Sequence, residues 1–496
     1  MHPHVTAGVR ATPVRPLSAE SIDVWDYEAD VVIAGYGIAG VSAAVEAARA
    51  GAEVLVLERA GGWGGAASLA GGFIYMGGGT PLQKALGFED TPENMKTFMM
   101  AALGPGADEA KITEYCEGSV DHYNWLVDCG VPFKESFYGQ PGWETPFDDG
   151  LMYSGGENSA PFNTIATPAP RGHIPQMADK KVGEKGGGYM LMKPLVETAE
   201  KLGVQAQYDM RVQTLVTDAT GRVVGVQAKQ YGKDVVVRAR KGVVLATGSF
   251  AYNKDMVEAF APRLIGRPGA AIEEHDGRSI RMAQALGADL AHMDATEVAF
   301  FGDPQMMVRG ILVNGRGQRY VNEDTYPGRI GQLTLLQNDN QAYLIIDEDA
   351  YEEAKTTPSS TPFFRFQPKW VAETVEELEA EMGLPEGTLQ ATVEVYNKHA
   401  ANGQDPVLGK KPEWVKPIGS PIAALDLRNF TAGFTLGGLR TNTASEVLHV
   451  SGDPIPGLFA AGRCTAGVCA WGYASGTSLG DGSFFGRRAG ISAAKG

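Results

Sequence analysis

The segment from residue 30 to residue 58 constrains the fold of this chain more than any other. The apolar run Asp30–Ala34 predicts a buried strand, a G-x-G-x-x-G motif fills positions 35–40, and Val41–Ala50 predicts a helix. A second strand is predicted over Glu53–Leu57. This motif inside a β–α–β unit of about 30 residues is typical of a Rossmann-type site for a dinucleotide. We therefore predict an α/β fold that binds a dinucleotide through this unit.

Each glycine of the motif has a separate expected role. Gly35 makes the tight turn, Gly37 lets the backbone approach the pyrophosphate, and Gly40 allows the helix to pack closely on the strand. The helix start at Ile38 and Ala39 directs free N–H groups and a positive dipole end at the phosphates.

The carboxylate of Glu58 ends the second strand, eighteen positions after Gly40. An acid at this place receives the ribose hydroxyls and disfavours a 2′-phosphate, which makes NADP an unexpected ligand. We place Glu58 and its neighbour Arg59 in the cofactor site. The motif by itself does not separate NAD from FAD.

Composition narrows the class of protein. The chain has 496 residues, 44% of them hydrophobic, and a formal net charge of −16, which disfavours nucleic acid and acidic lipid as partners. Four cysteines do not form a disulfide framework, and Cys464 and Cys469 have the wrong spacing for a CxxC pair. Residues 1–27 lack an apolar signal-peptide core, and no apolar run is long enough to span a membrane. We expect a soluble cytoplasmic protein with reduced thiols and no metal.

The order of predicted elements indicates a cofactor domain that is split in sequence. The Gly-rich stretch 61–79 is expected to be irregular, and a helix is predicted from Met190. Alternating segments over 205–238 predict a meander, and Lys241–Gly248 predicts a further buried strand. We predict a flexible lead-in over 1–27, a Rossmann-type FAD-binding domain over 28–284 and 437–496, and an inserted α+β substrate-binding cap domain over 285–436.

Several motifs occur in the order found in one known family. They are GGWGGAASLAGG at 61–72, the glycines 186–188, KGVVLATG at 241–248, GILVNGRGQRYVNED at 310–324, GLFAAGR at 457–463 and GTSLGDGSFFGRRAG at 476–490. Together they resemble the flavoproteins of the fumarate reductase/succinate dehydrogenase family, which implies FAD as the cofactor. Residues 61–72 contain no histidine for covalent attachment, so we expect non-covalent FAD.

The resemblance also implies which residues hold the flavin. Ser68 and its neighbours are expected to flank the isoalloxazine, Val212 to lie by the adenine, and the helix after Thr477 to point its N-terminus at the flavin. The full set of further residues implied at the cofactor is Gly65, Ala66, Gly71, Gly72, Ala246, Thr247, Gly248, Gly462, Ser478 and Leu479.

The residues that grip a dicarboxylate in that family are missing. In the loop that the family writes GGVHGANRLGG, Cys469 replaces the histidine and Tyr473 replaces the arginine, while Tyr326 stands near the place of the proton-donor arginine. Arginine holds carboxylates because its planar fork binds both oxygens. We therefore expect neither succinate nor fumarate as substrate.

The replacing residues favour a flat, apolar substrate. We expect a wall built from Tyr326, Tyr473, Ser475, Phe250, Tyr252, Phe300, Phe301 and Trp471. This combination, in the contexts DTYPGR and GYASG, resembles the 3-ketosteroid dehydrogenase branch of the same family. The resemblance implies dehydrogenation of a 3-keto-5α-steroid at C4–C5 to the 4-ene-3-one, with the hydride of C5 passing to flavin N5.

The chemistry assigns provisional roles. Tyr473 and a backbone N–H of Gly476 or Thr477 would hold the C3 carbonyl. Ser475 and Tyr326 would relay the proton from C4, which requires either a hydrogen-bonded chain to solvent or a lowered tyrosine pKa. The formal base is left open.

Three other functions stay open. The first is dehydrogenation at C1–C2, with Tyr115, Tyr123 or Tyr138 as a candidate base, the second is reduction of a neutral enone, and the third is simple electron carriage. The electron acceptor is unknown because the sequence has no second dinucleotide motif, no CxxCH haem motif and no iron–sulfur cysteine set.

Overall fold

A computed structural model describes residues 14–142, 144–176, 187–337, 341–428 and 431–496. Gly186, the first of the predicted glycines 186–188, lies outside these ranges, as do residues 1–13 of the predicted lead-in 1–27.

Over the described ranges, the strands are β1 (Leu17–Ser18), β2 (Tyr27–Ala34), β3 (Val54–Leu57), β4 (Ile74–Tyr75), β5 (Phe137–Tyr138), β6 (Leu151–Met152), β7 (Gly172–His173), β8 (Gln205–Gln207), β9 (Met210–Thr217), β10 (Val223–Gln230), β11 (Lys233–Leu245), β12 (Leu290–Ala291), β13 (Thr296–Phe300), β14 (Ile311–Val313), β15 (Tyr343–Asp347), β16 (Trp370–Ala372), β17 (Ile422–Asp426), β18 (Thr431–Thr435), β19 (Gly438–Leu439), β20 (Glu446–Leu448) and β21 (Pro454–Ala460).

Over the same ranges, the α-helices are α1 (Ile38–Arg49), α2 (Gly65–Leu69), α3 (Pro81–Ala85), α4 (Pro92–Ala102), α5 (Glu109–Glu117), α6 (Ser119–Asp128), α7 (Gly187–Lys201), α8 (Lys254–Phe260), α9 (Arg278–Gln284), α10 (Pro304–Met307), α11 (Pro327–Leu335), α12 (Glu348–Thr356), α13 (Val375–Met382), α14 (Thr388–Ala400) and α15 (Thr477–Lys495).

The predicted β–α–β unit is confirmed as β2–α1–β3. Strand β2 pairs in parallel with β3 on one side and with β11 on the other, and β21 adds to β11, also in parallel. The apolar runs of β2 and β3 are buried along their whole paired length, as expected for strands of a parallel sheet that is covered on both faces.

The C-terminal segment completes the same domain, which confirms the split predicted from sequence. Strand β21 lies in the cofactor sheet, and α15 packs along α1. A Cβ at Gly486 would lie 2.6 Å from the carbonyl oxygen of Ala39, and a Cβ at Gly490 would collide with that of Ala43. These glycines let the two helices approach at backbone contact.

A separate body is built from residues between β13 and β18. Strands β14, β15, β17 and β16 form an antiparallel sheet in that order, with its own buried cluster around Ile345, Leu378 and Val393. Strands β13 and β18 pair with each other beside it. This α+β body is the predicted cap.

Two local predictions differ from the structure. The Gly-rich stretch 61–79 is not wholly irregular, because it contains α2 and β4, with Gly64 at φ 116° as the N-cap of α2. The last segment of the predicted meander, Asp234–Arg238, and the strand predicted over Lys241–Gly248 are one continuous strand, β11, which is interrupted only by a register shift between Ala239 and Gly242.

None of the helices within the described ranges is long and apolar enough to cross a membrane.

Candidate active site

A large cavity of about 280 Å³ lies between the β2–α1 turn and the N-terminus of α15. Its lining includes Gly35, Gly37, Ile38, Ala39, Glu58, Arg59, Gly65, Ala66, Gly71, Gly72, Val212, Ala246, Thr247, Gly248, Gly462, Ser478 and Leu479 from the predicted cofactor set, together with Tyr473, Ser475 and Gly476 from the predicted reaction set. Residues from the whole length of the sequence therefore meet at one cavity.

The turn between β2 and α1 forms the first end of this cavity. Gly35 has φ 101°, and a Cβ there would lie 2.5 Å from the carbonyl oxygen of Ala246. The only atom that a Cβ on Gly37 would meet within 4 Å is the carbonyl oxygen of Gly64, at 3.9 Å, so such a Cβ would stand in the cavity. The first N–H groups of α1 face the same space, which is the arrangement that binds a pyrophosphate.

Gly40 is the one glycine of the motif that does not line the cavity. A Cβ on it would collide with the carbonyl oxygen of Gly35. Gly40 therefore serves the cofactor through helix packing, as the sequence predicted, and not through contact.

Glu58 stands beside this turn with both carboxylate oxygens already engaged. Oε2 accepts the N–H of Tyr36 at 2.7 Å, and Oε1 accepts the N–H of Ala60 at 2.8 Å. Burial raises the pKa of Glu58 even though these backbone donors oppose the change. The two N–H groups fix the carboxylate at the place where a ribose hydroxyl is expected.

Charged side chains close the same end. Asp276 Oδ2 accepts from Arg59 Nη1 at 3.0 Å and from Arg211 Nη2 at 2.7 Å, and all three residues line the cavity. The Nε of Arg211 is buried and has no partner within the described residues. Val212 lies next to this group, where the sequence placed the adenine.

The residues near Gly72 form one wall farther along the cavity. A Cβ on Gly72 would collide with the backbone of Gly187 at the start of α7. Ser68 does not line the cavity, although the sequence predicted it at the flavin. Its hydroxyl turns back and donates to the carbonyl oxygen of Gly65 at 3.1 Å inside α2, because a serine within a helix readily bonds the preceding turn.

The N-terminus of α15 forms the second end of the cavity. Gly476, the N-cap, has φ 97°, and its carbonyl oxygen accepts the N–H of Tyr75 at 3.2 Å. A Cβ on Gly476 would lie 2.8 Å from that nitrogen, so both the conformation and the space require glycine. Since Thr477 donates its N–H to the carbonyl oxygen of Ala474 at 3.0 Å, the N–H of Gly476 is the better candidate for a ligand oxygen.

Tyr473 reaches this end from the 466–476 loop. Its hydroxyl oxygen accepts the N–H of Ser478 at 3.1 Å, which leaves its own O–H as a donor. Phe434 packs edge-on against its ring, with centroids 5.5 Å apart. Burial raises the pKa of Tyr473 well above its usual value, so the phenol stays protonated.

The backbone of Ser475 is held on both sides by Ser154. The N–H of Ser475 donates to the carbonyl oxygen of Ser154 at 3.0 Å, and the Ser154 hydroxyl donates to that of Ser475 at 2.9 Å. These two hydrogen bonds fix the backbone of Ser475 and thereby hold its side chain at the cavity wall.

Tyr326 lies behind Ser475 and does not line the large cavity, although the sequence predicted it at the substrate. Its phenol hydrogen-bonds the Ser475 side chain and donates to Glu297 Oε1 at 2.9 Å. Gln332 Nε2 donates to the other carboxylate oxygen, Oε2, at 3.0 Å. A chain thus runs from Ser475 through Tyr326 to a carboxyl that is 2% exposed.

Of the two alternatives left open for the proton relay, a lowered tyrosine pKa is not found at Tyr326 or Tyr473. Burial and the neighbouring Glu297 carboxyl raise the pKa of Tyr326 well above its usual value. Burial also raises the pKa of Glu297 to about 8. Sequence reasoning missed Glu297 because no motif surrounds it. The available signal was an acidic residue within the apolar strand β13.

Most of the predicted aromatic wall lies elsewhere. Phe250 and Phe300 are fully buried in two separate cores. Trp471 is 43% exposed and donates to Asp294, while the Tyr252 hydroxyl donates to the carbonyl oxygen of Gly269. The remaining member, Phe301, packs on Phe364. The aromatic residues that do line the cavity include Phe73 and Phe434, which the sequence did not indicate.

The cavity has the polar groups that FAD needs. The hydroxyl of Ser478 and the Nε atoms of Arg211 and Arg463 are buried, line the cavity and have no partner within the described residues. Buried polar groups are rarely left without a hydrogen bond, so a ligand with several acceptors fits here. Together with the space at Gly37, this pattern matches a dinucleotide that extends from the α1 turn to α15.

The fold and this site define an FAD-binding protein of the Rossmann type with an inserted cap. Residues 30–479 match the family described as "FAD binding domain", and the chain belongs to that family.

Three similar proteins indicate which members of this family the chain resembles. The crystal structure of 3-ketosteroid-Δ4-(5α)-dehydrogenase from Rhodococcus jostii RHA1, in complex with 4-androstene-3,17-dione, is 81% identical, covers 97% of this chain and 100% of that chain, and has a TM-score of 0.96. The 3-oxo-5-alpha-steroid 4-dehydrogenase of Comamonas testosteroni is 27% identical, over 90% of this chain and 94% of that protein. A probable fumarate reductase of Shewanella frigidimarina is 29% identical, over 94% of this chain and 74% of that protein.

Proposed function

We propose that this protein is an FAD-dependent 3-ketosteroid dehydrogenase that converts a 3-keto-5α-steroid into the 4-ene-3-one. One observation carries this proposal: Tyr473, Gly476 and Ser475 meet at one end of the FAD cavity, with Tyr326 and Glu297 hydrogen-bonded behind Ser475. The 81% identical relative is named as a 3-ketosteroid-Δ4-(5α)-dehydrogenase, and its structure contains a 4-ene-3-one steroid.

The C3 carbonyl is held by two donors. The Tyr473 hydroxyl donates to the carbonyl oxygen and is polarised by the Ser478 N–H that it accepts. The N–H of Gly476 supplies the second bond at the start of α15. Donors of this kind, placed where negative charge develops, contribute roughly 3 kcal/mol each.

The proton of C4 leaves along the chain behind the cavity. The C4–H bond breaks and its proton passes to Ser475 Oγ, which gives its own proton to the Tyr326 phenol oxygen. Tyr326 in turn gives its proton to Glu297 Oε1. The electron pair of the broken bond moves toward the C3 carbonyl oxygen, where Tyr473 and Gly476 stabilise it.

When bound, FAD supplies the oxidising step by accepting the hydride from C5 as the C4–C5 double bond forms. The chain orients the substrate for that step by fixing the C3 oxygen at Tyr473 and C4 at Ser475. The apolar wall from Phe73, Phe434 and Ile272 covers the space between them and excludes water.

A dicarboxylate is a poor fit for this end of the cavity. Arg463, which lines the cavity and interacts electrostatically with Tyr473, is already engaged by Asp481 at 3.0 Å. The tyrosines proposed for C1–C2 dehydrogenation are also outside the cavity lining. Tyr115 is fully buried and bonds the carbonyl oxygen of Tyr75, and neither Tyr123 nor Tyr138 lines the cavity.

We also propose how the cofactor is attached, where the domains begin and end, and where the protein works. The FAD is bound non-covalently. The FAD-binding domain comprises residues 28–284 and 437–496, the cap comprises residues 285–436, and the protein works in the cytoplasm. The four cysteines are buried free thiols, as is usual in a reducing compartment. The electron acceptor is an unidentified quinone-like or soluble partner.

The test is anaerobic mixing of the yellow holoprotein with a saturated 5α-3-ketosteroid, followed by absorbance. Loss of the oxidised flavin band together with a new conjugated 4-en-3-one band is the expected result. Flavin loss only with a 4-en-3-one, yielding a 1,4-diene, would assign C1–C2 chemistry. No reduction by either steroid would overturn the steroid assignment and leave the FAD site intact.

A further inference from the structure

An arginine with no role in the proposed proton path faces the cavity between its two ends. Arg463 follows β21 in a 3-10 turn, and its side chain is 10% exposed. Its Nη2 donates to Asp481 Oδ2 at 3.0 Å and its Nη1 to the carbonyl oxygen of Leu436 at 3.4 Å. Its Nε is buried, has no partner among the described residues, and the residue lines the cavity. A cation therefore borders the space that FAD would fill.

The counter-ion of Arg463 lies behind it. Asp481, on α15, is 1% exposed in its side chain and does not line the cavity. Its Oδ1 accepts the N–H of Val468 at 3.1 Å, so the carboxylate is fixed on the side away from the ligand. The ion pair is therefore oriented, with its positive end at the cavity.

A second cation supports this orientation. Lys111, 3% exposed, donates to the carbonyl oxygen of Ala466 at 2.8 Å and to the Thr441 hydroxyl at 2.9 Å. It also interacts electrostatically with Asp481. The carboxylate of Asp481 is thus shared between two cations, so it cancels only part of the positive field that Arg463 produces at the cavity.

We propose that Arg463, with Asp481 fixed behind it, sets the reduction potential of the bound FAD. Transfer of a hydride breaks the C5–H bond and carries two electrons and one proton to the cofactor, whose ring system gains one negative charge. A fixed cation in a buried site stabilises that charge at no cost of reorganisation. The pair therefore favours hydride uptake from an unactivated saturated carbon. This inference rests on the proposed function only in that FAD is the hydride acceptor.

The experiment measures the midpoint potential of the FAD in holoprotein by anaerobic spectroelectrochemistry, without any steroid. We expect R463Q to lower the equilibrium constant for two-electron reduction by at least about tenfold, which is ~30 mV for a two-electron couple. R463K, which keeps the charge but not the Nε donor, should retain most of the wild-type potential. D481N should shift the potential in the opposite direction, upward.

Arg487 provides a matched control. It lies on α15 and, like Arg463, pairs with an aspartate (Asp121, 3.1 Å) and has a buried Nε with no partner in the described part of the chain, but it does not line the cavity. R487Q should leave the potential unchanged.

Two results would overturn the inference: equal potentials in R463Q and R487Q, or shifts of R463Q and D481N in the same direction. If R463Q does not retain FAD, R463K and D481N still decide the question. A wild-type protein that no steroid reduces would refute the proposed substrate and leave these potentials interpretable.

Discussion

Two phenols and a carboxyl meet at the reaction end of the cavity, and burial leaves them in different protonation states near neutral pH. The phenols of Tyr326 and Tyr473 have pKa values raised well above their usual range, so they remain proton donors at any physiological pH. Burial also raises the pKa of Glu297, but only to about 8. Of these three groups, the Glu297 carboxyl is therefore the one whose charge changes near neutral pH.

The proton path gives a pH dependence. Glu297 accepts a proton only as a carboxylate, so the rate of flavin reduction by a 5α-3-ketosteroid should rise with pH up to about 8 and then level off. Burial raises the pKa of Glu297 and the hydrogen bond from Tyr326 opposes it, while the charge of Glu297 in turn raises the pKa of Tyr326, Tyr473 and Cys469. E297Q should be slower by at least about tenfold at pH 8 and should lose this rise. Stopped-flow measurement across pH 6–10 is the check.

Glu157 offers the control for that variant. It is also a buried glutamate with a pKa raised by desolvation, but its Oε2 accepts the N–H of Gly155 at 2.8 Å and its carboxyl interacts with Arg171 and Tyr75 rather than with Tyr326. E157Q should keep the wild-type pH profile. A profile for E297Q that matches the wild type would rule out the carboxyl as the proton acceptor.

The carbonyl donor gives a second prediction. Y473F removes one hydrogen bond to the developing oxyanion, which should lower the rate of flavin reduction by on the order of 10²-fold. FAD content should not change, because the phenylalanine still packs on Phe434. A Y473F rate within a factor of two of the wild type would show that the carbonyl is held elsewhere.

At this scale the sequence predicts residue types better than residue positions. Tyr473 and Ser475 were expected at the substrate and line the cavity, because the two hydrogen bonds of Ser475 with Ser154 and the cap at Gly476 fix this loop. Phe250 and Phe300 were expected there and are core residues. An aromatic side chain satisfies a core and a binding wall equally well, so sequence alone does not choose between them.

Helix α15 contributes to the cofactor site in two ways. Its N-terminus forms the reaction end of the cavity, and its later turns pack on α1, whose own N-terminus faces the pyrophosphate site. Gly486 and Gly490 set the distance between the two helices. Displacement of α15 therefore moves both ends of the cofactor site together.

This coupling predicts the effect of a larger residue at the helix crossing. G490V places a side chain against the carbonyl of Ala43 and should lower the free energy of unfolding by about 1–3 kcal/mol. FAD content of the purified protein should fall with it. Denaturant melts and the ratio of flavin to protein absorbance measure both effects. S492A, a change on the same helix away from this contact, should alter neither.

The errors at this scale have a common physical origin. The stretch 61–79 was expected to be irregular because of its glycines, yet it contains α2 and β4. The wall near Gly72, which packs against Gly187, supplies the stability that the local sequence lacks. Likewise β11 continues past the expected break because β2 pairs with it on one side, while β10 and then β21 pair with it on the other. Tertiary contacts override local preference.

On the scale of the whole molecule, the cofactor joins parts of the chain that have separate cores. The cavity lining includes residues of the cofactor sheet, of β18 and of the 466–476 loop. The order of domains was predictable, because the β–α–β motif and the GLFAAGR segment mark the two halves of one sheet. The contact between the cap and that sheet was not predictable, because no local pattern encodes it.

Binding of FAD should therefore stabilise the entire protein. A ligand that binds only the folded state stabilises it by about 2.7 kcal/mol at one hundred times its dissociation constant. We expect the melting temperature of the apoprotein to rise steadily with added FAD, and riboflavin, which lacks the pyrophosphate, to have a much smaller effect. Thermal melts monitored by tryptophan fluorescence are the check. Equal shifts with both ligands would contradict the role of the α1 turn.

The arrangement of α1 and α15 also affects the synthesis of the protein. The two helix ends that define the cofactor cavity are roughly 440 positions apart in the chain. At the usual pace of about 5–20 residues per second, a ribosome needs on the order of a minute to make the second after the first. During that interval the nucleotide turn exists without its opposite wall. Loading of FAD is consequently a late event, and a growing chain must keep the apolar face of α1 covered until α15 arrives.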